Sequence, residues 1–252
     1  MHDSTAINRH FYDALWSGTE LTRPDCFNTW PLISGLLRLS PRRLELGPGL
    51  RPRLPLLGSY FIDLSPPVIT QLTAHGAIAA AADCVGLPFK DNKFELVCAF
   101  DLLEHADDDR QILEEVSRVL KEDGVFIFSV PLHARLWTKF DDLVGHVRRY
   151  DPDDLTGMLA MYGLVLKKSA VYGMQPSSPS LVNFGLWWLE NFRKEALWCY
   201  NRLLMPLGLF FQKKLEFVDG LISAADADEI VLVCRKQTGV ACAPTKYPVA
   251  DS

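Results

Sequence analysis

Short apolar runs alternate with amphipathic helical patterns from about residue 42 to residue 172. The strand-like runs are continuously apolar, which is typical of parallel strands that are buried on both faces. The pattern predicts strands at 42–46, 60–63, 78–82, 94–100, 124–130, 164–172 and 229–235, and helices at 66–75, 107–120 and 151–162. Strands that alternate with helices indicate an α/β fold, with helices on both faces of a mostly parallel sheet.

Two segments outside this alternation carry aromatic and apolar residues at helical spacing. Residues 1–40 predict a helical cap, which packs over either a sheet edge or a ligand pocket. Residues 173–227 open with a Gly-, Pro- and Ser-rich loop and continue with two helical patterns, at 181–198 and 200–218. We therefore expect an N-terminal cap, a sheet domain at 41–172 and 228–236, a helical insertion, and a flexible tail at 237–252.

Composition and charge narrow the class of protein. A chain of 252 residues with 48% hydrophobic residues suits one α/β domain with an insertion and a sizeable core. The net charge of −5, without a dense basic run, argues against nucleic-acid binding. The N-terminus has no apolar signal-peptide core, and no stretch reaches the ~18 apolar residues of a membrane span. Six cysteines without a C-x-x-C pair indicate a reducing, cytoplasmic location.

A turn with two glycines, Glu45-Leu46-Gly47-Pro48-Gly49, follows the first predicted strand. Glycines at such a turn let the main chain come close to a ligand. Pro52 stands where a dinucleotide-binding G-x-G-x-x-G motif needs its third glycine, which argues against a nicotinamide or flavin cofactor. Pro52 and Pro55 also predict that the helix expected after this turn is one turn long or absent.

Acidic residues follow the next three predicted strands. Asp63 ends the second strand, Asp83 follows the third, and Asp101-Leu102-Leu103-Glu104-His105 follows the fourth. Ligands of open parallel sheets bind outside the carboxyl ends of the strands, so we expect these residues to share one site with the glycine turn. A carboxylate after the second strand can accept hydrogen bonds from both hydroxyls of a ribose.

In this order and at this spacing, the segments resemble class I S-adenosylmethionine-dependent methyltransferases, in particular the small-molecule, type 11-like branch. The resemblance covers about residues 40–172 and 229–235. It implies a Rossmann-like sheet of seven strands with only the last strand antiparallel, S-adenosyl-L-methionine as cofactor, and methyl transfer to a small-molecule acceptor. The predicted cofactor contacts are Glu45, Gly47, Pro48, Gly49, Asp63, Leu64, Asp83, Cys84 and Asp101. We add Arg51, as a cation for the cofactor's carboxylate.

Two histidines are candidates for the base that removes a proton from the acceptor. His105 follows the fourth strand, where it could instead cap the next helix, and His146 lies in the loop after the fifth strand. Residues 145–150 are either an acceptor-binding loop or a turn whose arginines pair with nearby acids. The candidate acceptor contacts are Trp137, Arg148, Arg149 and Tyr150. A run similar to 101–105 is associated with a divalent metal in ubiquinone-pathway O-methyltransferases, but we predict no metal here.

Three interpretations of the insertion remain open. It is a lid that forms an acceptor pocket, a homodimer interface, or a pair of peripheral helices at a membrane surface, with its main apolar content at 181–218. A lid this apolar favours an apolar, aromatic or lipid-linked acceptor. Two rival functions also remain: a non-catalytic binding protein with the methyltransferase fold and, less favoured, an NAD- or FAD-dependent oxidoreductase.

Overall fold

An eight-stranded mixed sheet organises the computed structural model, which describes residues 4–17, 19–173, 179–223 and 227–237. The strands lie in the order β3-β2-β1-β4-β5-β8-β6-β7. They are β1 Arg43–Leu46, β2 Ser59–Asp63, β3 Ile78–Ala81, β4 Phe94–Ala99, β5 Leu120–Pro131, β6 Leu164–Tyr172, β7 Val218–Asp219 and β8 Glu229–Lys236. The first five strands are parallel, whereas β8 is antiparallel to both β5 and β6.

The predicted α/β class and mostly parallel sheet are confirmed, but the predicted count of seven strands is wrong. The additional strand is β7, which pairs antiparallel with β6 at the edge of the sheet. It therefore adds a second antiparallel strand besides β8. Two residues are too few for a periodicity of two to be visible in a sequence, which explains why this strand was missed.

Nine α-helices are present in the described residues. They are α1 Ser4–Trp16, α2 Trp30–Leu36, α3 Pro66–Ala74, α4 Asp109–Val119, α5 Lys139–Val144, α6 Pro152–Met161, α7 Pro179–Asn191, α8 Arg193–Cys199 and α9 Met205–Phe211. Proline occupies the first turn of α3 and α6, where its missing N–H costs nothing. The second helical pattern of the insertion is shorter than predicted, because α9 ends at Phe211. None of the described helices is long and apolar enough to cross a membrane.

Along the central strands, alternate side chains belong to two hydrophobic clusters on opposite faces of the sheet. On β5, Phe126 and Phe128 join the cluster that includes α4 and α6, while Val125 and Ile127 join the cluster that includes α2 and α3. β8 alternates in the same way. The central strands are thus buried on both faces, which is why their sequences read as continuous apolar runs.

The segment between β1 and β2 has no helix, as Pro52 and Pro55 predicted. Its backbone is held by Glu45, whose carboxylate accepts hydrogen bonds from the N–H of Arg53 at 2.9 and 3.0 Å and of Leu54 at 2.8 Å. Leu50 and Leu54 enter the same core cluster as Ile33 of α2. This loop and α2 therefore cover the sheet where a helix after β1 would pack.

Parts of three predicted segments lie outside the described residues. These are residues 1–3 and 18 of the N-terminal cap, residues 174–178 and 224–226 of the insertion, and the tail from residue 238 onward. The domain boundaries inferred from the sequence stay predictions.

Candidate functional site

The carboxyl ends of β3, β2, β1 and β4 bring the predicted cofactor residues to one edge of the sheet. Gly47 and Gly49 turn the chain after β1 with φ of +60° and +53°, a region in which glycine has no Cβ penalty. The Gly49 N–H donates to Asp63 Oδ2 at 3.0 Å, and Asp63 Oδ1 accepts from the Ser65 N–H at 2.8 Å. The first two strand ends are therefore tied together by the acid that the sequence assigns to the ribose.

The other predicted cofactor residues differ in exposure. Leu64 and Asp83 are exposed, whereas Pro48 and Cys84 are buried. Asp83 Oδ1 accepts a hydrogen bond from the Val85 N–H at 3.1 Å, and burial raises the pKa of the Cys84 thiol. Glu45 faces the loop backbone, as described above, and burial raises the pKa of its carboxyl to about 7. The role of each toward the cofactor stays a prediction.

Three carboxyl groups gather at the ends of β4 and β8. Asp101 has φ of +50°, and its N–H donates to Ser129 Oγ at 3.0 Å, while the Ser129 hydroxyl donates back to its carboxylate. Glu229 is hydrogen-bonded to Asp101, and burial followed by the charge of Asp101 raises the pKa of Glu229 well above its usual value. Burial and then Asp101 raise the pKa of Glu104 in the same direction.

Two buried oxygens of this acidic cluster, Glu104 Oε2 and Glu229 Oε1, have no hydrogen-bond partner among the described residues. A buried polar atom without a partner costs free energy, so such atoms often face a ligand. Acidic groups at this position suit a cofactor that carries sulfonium and ammonium charges. The donor set therefore fits S-adenosylmethionine.

Helix α1 covers His105 at the end of β4. Asn8 Nδ2 lies 2.7 Å from His105 Nδ1, and the Tyr12 hydroxyl lies 3.2 Å from Nε2. The Gly145 carbonyl is 3.4 Å from Nδ1. Burial, followed by the neighbouring His146, lowers the pKa of His105 to about 3. The imidazole of His105 is thus neutral at physiological pH and held by uncharged groups.

His146 has a different environment, because a carboxylate orients it. His146 Nδ1 lies 2.7 Å from Asp141 Oδ1, and its ring centre is 4.7 Å from that of His105. Asp141 is fully buried and also accepts from Arg149 Nε at 2.8 Å and Arg149 Nη2 at 3.0 Å. The bonds from His146 and Arg149 lower the pKa of Asp141, against the effect of its burial. A charged Asp141 favours the His146 tautomer with a proton on Nδ1. In that tautomer Nε2, which lies 4.0 Å from Glu104 Oε1, carries no proton and can accept one.

The candidate acceptor residues make contacts within the protein. Arg149 is buried and also donates to Asp228 at 2.6 Å, and Arg148 pairs with Asp109 at 2.6 Å. The two other residues donate side-chain hydrogen bonds: the Tyr150 hydroxyl to Asp109 at 2.8 Å, and Trp137 Nε1 to Asp142 at 3.0 Å. Pairing of the loop arginines with nearby acids was the alternative interpretation of residues 145–150. Direct acceptor binding by these four side chains stays a prediction.

Glu104, His105 and His146 also form a group that could hold a metal ion, because one ligand atom from each lies within 4.8 Å of the others. His105 already has a polar neighbour at each ring nitrogen, so a metal bound to it would displace Asn8 or Tyr12. The prediction of no metal stays a prediction.

Arg51 lies between the glycine loop, α1 and the insertion. Its guanidinium donates to Asn201 Oδ1 at 2.8 Å and lies 5.2 Å from the Trp16 ring centre and 5.1 Å from that of Tyr200. Asn201 in turn donates to the Leu15 carbonyl at 2.8 Å. In this structure Arg51, which the sequence assigns to the cofactor's carboxylate, connects the cap and the insertion.

Sequence reasoning missed two acids of the site, Glu229 and Asp141. Glu229 begins β8, and because β8 is antiparallel its first residue lies beside the last residues of β5 and β6. An acid directly before the last apolar run was the available signal. Asp141 was considered only as a partner for an arginine, and its five-residue separation from His146 gives no helical or strand periodicity.

The fold is the one that the resemblance to class I methyltransferases implies, and solved methyltransferase structures share it. Residues 44–128, from β1 into β5, match the family model described as a methyltransferase domain. The prediction of a methyltransferase domain is therefore confirmed over these residues, and S-adenosylmethionine is the cofactor that such a domain implies.

Similar proteins include an S-adenosylmethionine-dependent methyltransferase of Thermotoga maritima, which aligns over 92% of both chains with a TM-score of 0.57 and 15% identity. A sarcosine/dimethylglycine N-methyltransferase of Halorhodospira halochloris is 42% identical over 48 residues, which are 19% of this chain and 17% of that protein. An uncharacterised protein of Methanocaldococcus jannaschii is 32% identical over 101 residues, or 39% of this chain and 49% of that protein. The chain thus spans half or less of the length of these two curated relatives.

Proposed function

We propose that this chain transfers a methyl group from S-adenosylmethionine to a small-molecule acceptor that is apolar or lipid-linked. The observation that carries the proposal is that α1 lies over both the glycine loop after β1 and the pair of histidines. Trp16 packs on the glycine loop, where a Cβ on Gly49 would come within 2.2 Å of its ring. One turn earlier, Tyr12 contacts His105, which packs against His146. This arrangement supports one covered site that contains the glycine turn, which we assign to the cofactor, and a candidate base.

The chemistry assigned to the protein is binding, orientation and proton removal. S-adenosylmethionine supplies a methyl carbon that is electrophilic because it is bonded to a sulfonium. For an oxygen or nitrogen acceptor, we assign proton removal to His146 Nε2, because Asp141 holds the proton on Nδ1 and stabilises the resulting imidazolium. We assign neutral His105 to positioning of the acceptor.

The apolar and aromatic residues that pack beside the histidines support an apolar acceptor. Phe11 and Leu15 of α1 pack with Leu197 of the insertion, and Tyr12 and Trp16 lie with them. A covered apolar site excludes water, which strengthens the interactions that position the reacting groups.

We also infer a cytoplasmic location. The five cysteines in the described part of the chain are free thiols, and three of them are buried. A homodimer formed through the insertion remains an alternative to the lid.

Calorimetric titration with S-adenosylmethionine, S-adenosylhomocysteine and NAD tests the proposed function. We expect binding of both adenosyl ligands and none of NAD. Asp63→Asn should weaken S-adenosylmethionine binding by about 10- to 100-fold, because a hydrogen bond to a charged group contributes about 1.5–3 kcal/mol. Glu122→Gln is the matched control, since Glu122 is an exposed acid outside the site.

Failure of both adenosyl ligands to bind would contradict the proposal. Binding without S-adenosylhomocysteine release over a panel of amines, phenols and lipid-linked phenols would favour the non-catalytic binding protein instead.

A further inference from the structure

The insertion exposes an unusual amount of apolar surface. Of the nineteen large hydrophobic side chains that are exposed in the described part of the chain, ten lie between residues 181 and 211. Single exposed hydrophobic residues are ordinary on a protein surface, but a contiguous patch marks an interaction site. Neither the sheet nor the histidine site uses these side chains.

The first patch, on α7, is a stripe of Leu181, Phe184 and Trp187, which are spaced three residues apart and exposed. The ring centres of Phe184 and Trp187 are 6.0 Å apart, and Phe192 continues the cluster 5.9 Å from Trp187. Two basic residues, Arg193 and Lys194, follow directly.

The second patch, on α9 and the turn before it, has the same layout. Leu203, Leu207 and Phe210 are exposed at helical spacing, and Phe211 extends the stripe. Phe210 is 81% exposed and Phe211 is 70% exposed. An exposed basic pair, Lys213 and Lys214, follows two residues later.

We propose that these two stripes and their basic pairs bind the surface of an anionic lipid bilayer. This goes beyond the proposed methyl transfer and does not depend on it. Aromatic and leucine side chains of a peripheral helix insert at the boundary between headgroups and acyl chains, while lysine and arginine contact anionic headgroups. The insertion contains two such arrangements, each with an exposed apolar stripe followed by a basic pair.

Charge complementarity supports the lipid as the occupant. Residues 181–214 contain five basic and two acidic residues, in a chain whose net charge is −5. The basic side chains are therefore concentrated beside the exposed aromatic residues. A second copy of the chain fits less well, because the cores of protein–protein interfaces are depleted in lysine.

Co-sedimentation with vesicles tests the proposal. The full chain should bind vesicles of phosphatidylcholine and phosphatidylserine, and bind less to phosphatidylcholine alone. Lys213→Ser/Lys214→Ser should lower the partition coefficient on the anionic vesicles by about 30-fold, which corresponds to about 1 kcal/mol per lysine. Lys167→Ser/Lys168→Ser is the matched control, since this exposed pair lies on β6.

A second pair of variants tests the apolar layer. Phe210→Ser/Phe211→Ser should lower the partition coefficient by about 100-fold, whereas Leu39→Ser/Leu57→Ser, at exposed sites outside the insertion, should leave it unchanged. Thermal unfolding and S-adenosylmethionine titration of each variant confirm that it is folded.

Three outcomes would overturn the proposal. These are no binding to anionic vesicles, an equal loss in the control variants, or a dimer in light scattering that Phe210→Ser/Phe211→Ser abolishes while vesicles are not bound. The last outcome would make this surface a self-association interface.

Discussion

His146 and His105 lie in ring contact but have different partners, and this difference separates their roles. Asp141 orients His146 through a 2.7 Å contact, whereas His105 contacts the neutral groups of Asn8, Tyr12 and Gly145. Burial, followed by the neighbouring His146, lowers the pKa of His105 and keeps its imidazole neutral. This difference is the reason why the proposed function assigns proton removal to His146 and positioning of the acceptor to His105.

His146→Gln should lower kcat by about 100-fold, the usual lower range for loss of a general base, while S-adenosylmethionine affinity is unchanged. Release of S-adenosylhomocysteine with an acceptor from the panel measures kcat, and calorimetry measures the affinity. His75→Gln is the control, because His75 is exposed and its ring hydrogen-bonds to the Gln71 carbonyl of its own helix. Equal kcat values for the two variants would rule out His146 as the base.

Glu45 makes the stability of the protein depend on pH. Burial raises the pKa of its carboxyl to about 7 in the folded state, from about 4.5 in the unfolded chain. The folded state therefore binds the proton more tightly, so this stability is fully present below about pH 4.5 and is lost as pH rises through about 7.

Glu45→Gln should remove this dependence, because the amide does not titrate. Between these two pH values we expect the free energy of unfolding of the wild type to fall by about 3 kcal/mol relative to the variant. Urea unfolding of both proteins at the two pH values measures the difference. A constant difference across the range would show that Glu45 does not titrate there.

At the scale of elements, α1 is held on the site by two close backbone approaches. Gly49 lies under Trp16, and Gly145, which ends α5 with φ of +78°, would place a Cβ 2.9 Å from the Asn8 backbone. Only a residue without a Cβ leaves room for the helix at both positions. The helix therefore depends on loops that are 96 residues apart in the chain.

Arg51→Ala should loosen this cap. The guanidinium contacts the rings of Trp16 and Tyr200 and bonds to Asn201, and partly buried cation–π contacts contribute about 1–2 kcal/mol. Amide hydrogen exchange in α1 should accelerate by about 10-fold, with no change in β4 and β5. Arg38→Ala, at an exposed arginine, is the control.

The same variant tests the sequence-based assignment of Arg51 to the cofactor. If S-adenosylmethionine affinity is unchanged while α1 exchanges faster, Arg51 holds the cap and does not bind the cofactor's carboxylate. Unchanged exchange in α1 would contradict the structural role.

At the scale of the whole molecule, acidic residues of the candidate site and basic residues of the insertion lie in different parts of the protein. The acids Asp101, Glu104 and Glu229 gather at one edge of the sheet, whereas basic residues concentrate beside the exposed aromatic side chains of the insertion. The acidic residues at the sheet edge suit a cationic cofactor, and the basic residues of the insertion suit anionic lipid headgroups.

The sequence by itself determined seven of the eight strands, the missing helix after β1 and the residues that follow β1 to β4. Apolar periodicity, helix-breaking prolines and turn glycines each depend on residues that are close together in the sequence, so each can be recognised locally. The resemblance to methyltransferases followed from the order of those local features.

Only the tertiary structure decided which residues meet. Glu229 reaches Asp101 because β8 is antiparallel, His146 gains Asp141 through the fold of α5 and its loop, and α1 brings Tyr12 and Trp16 over the site. These contacts join residues from different elements, and no local pattern records them. The direction of a strand and the packing of a helix are set by the free energy of the whole core.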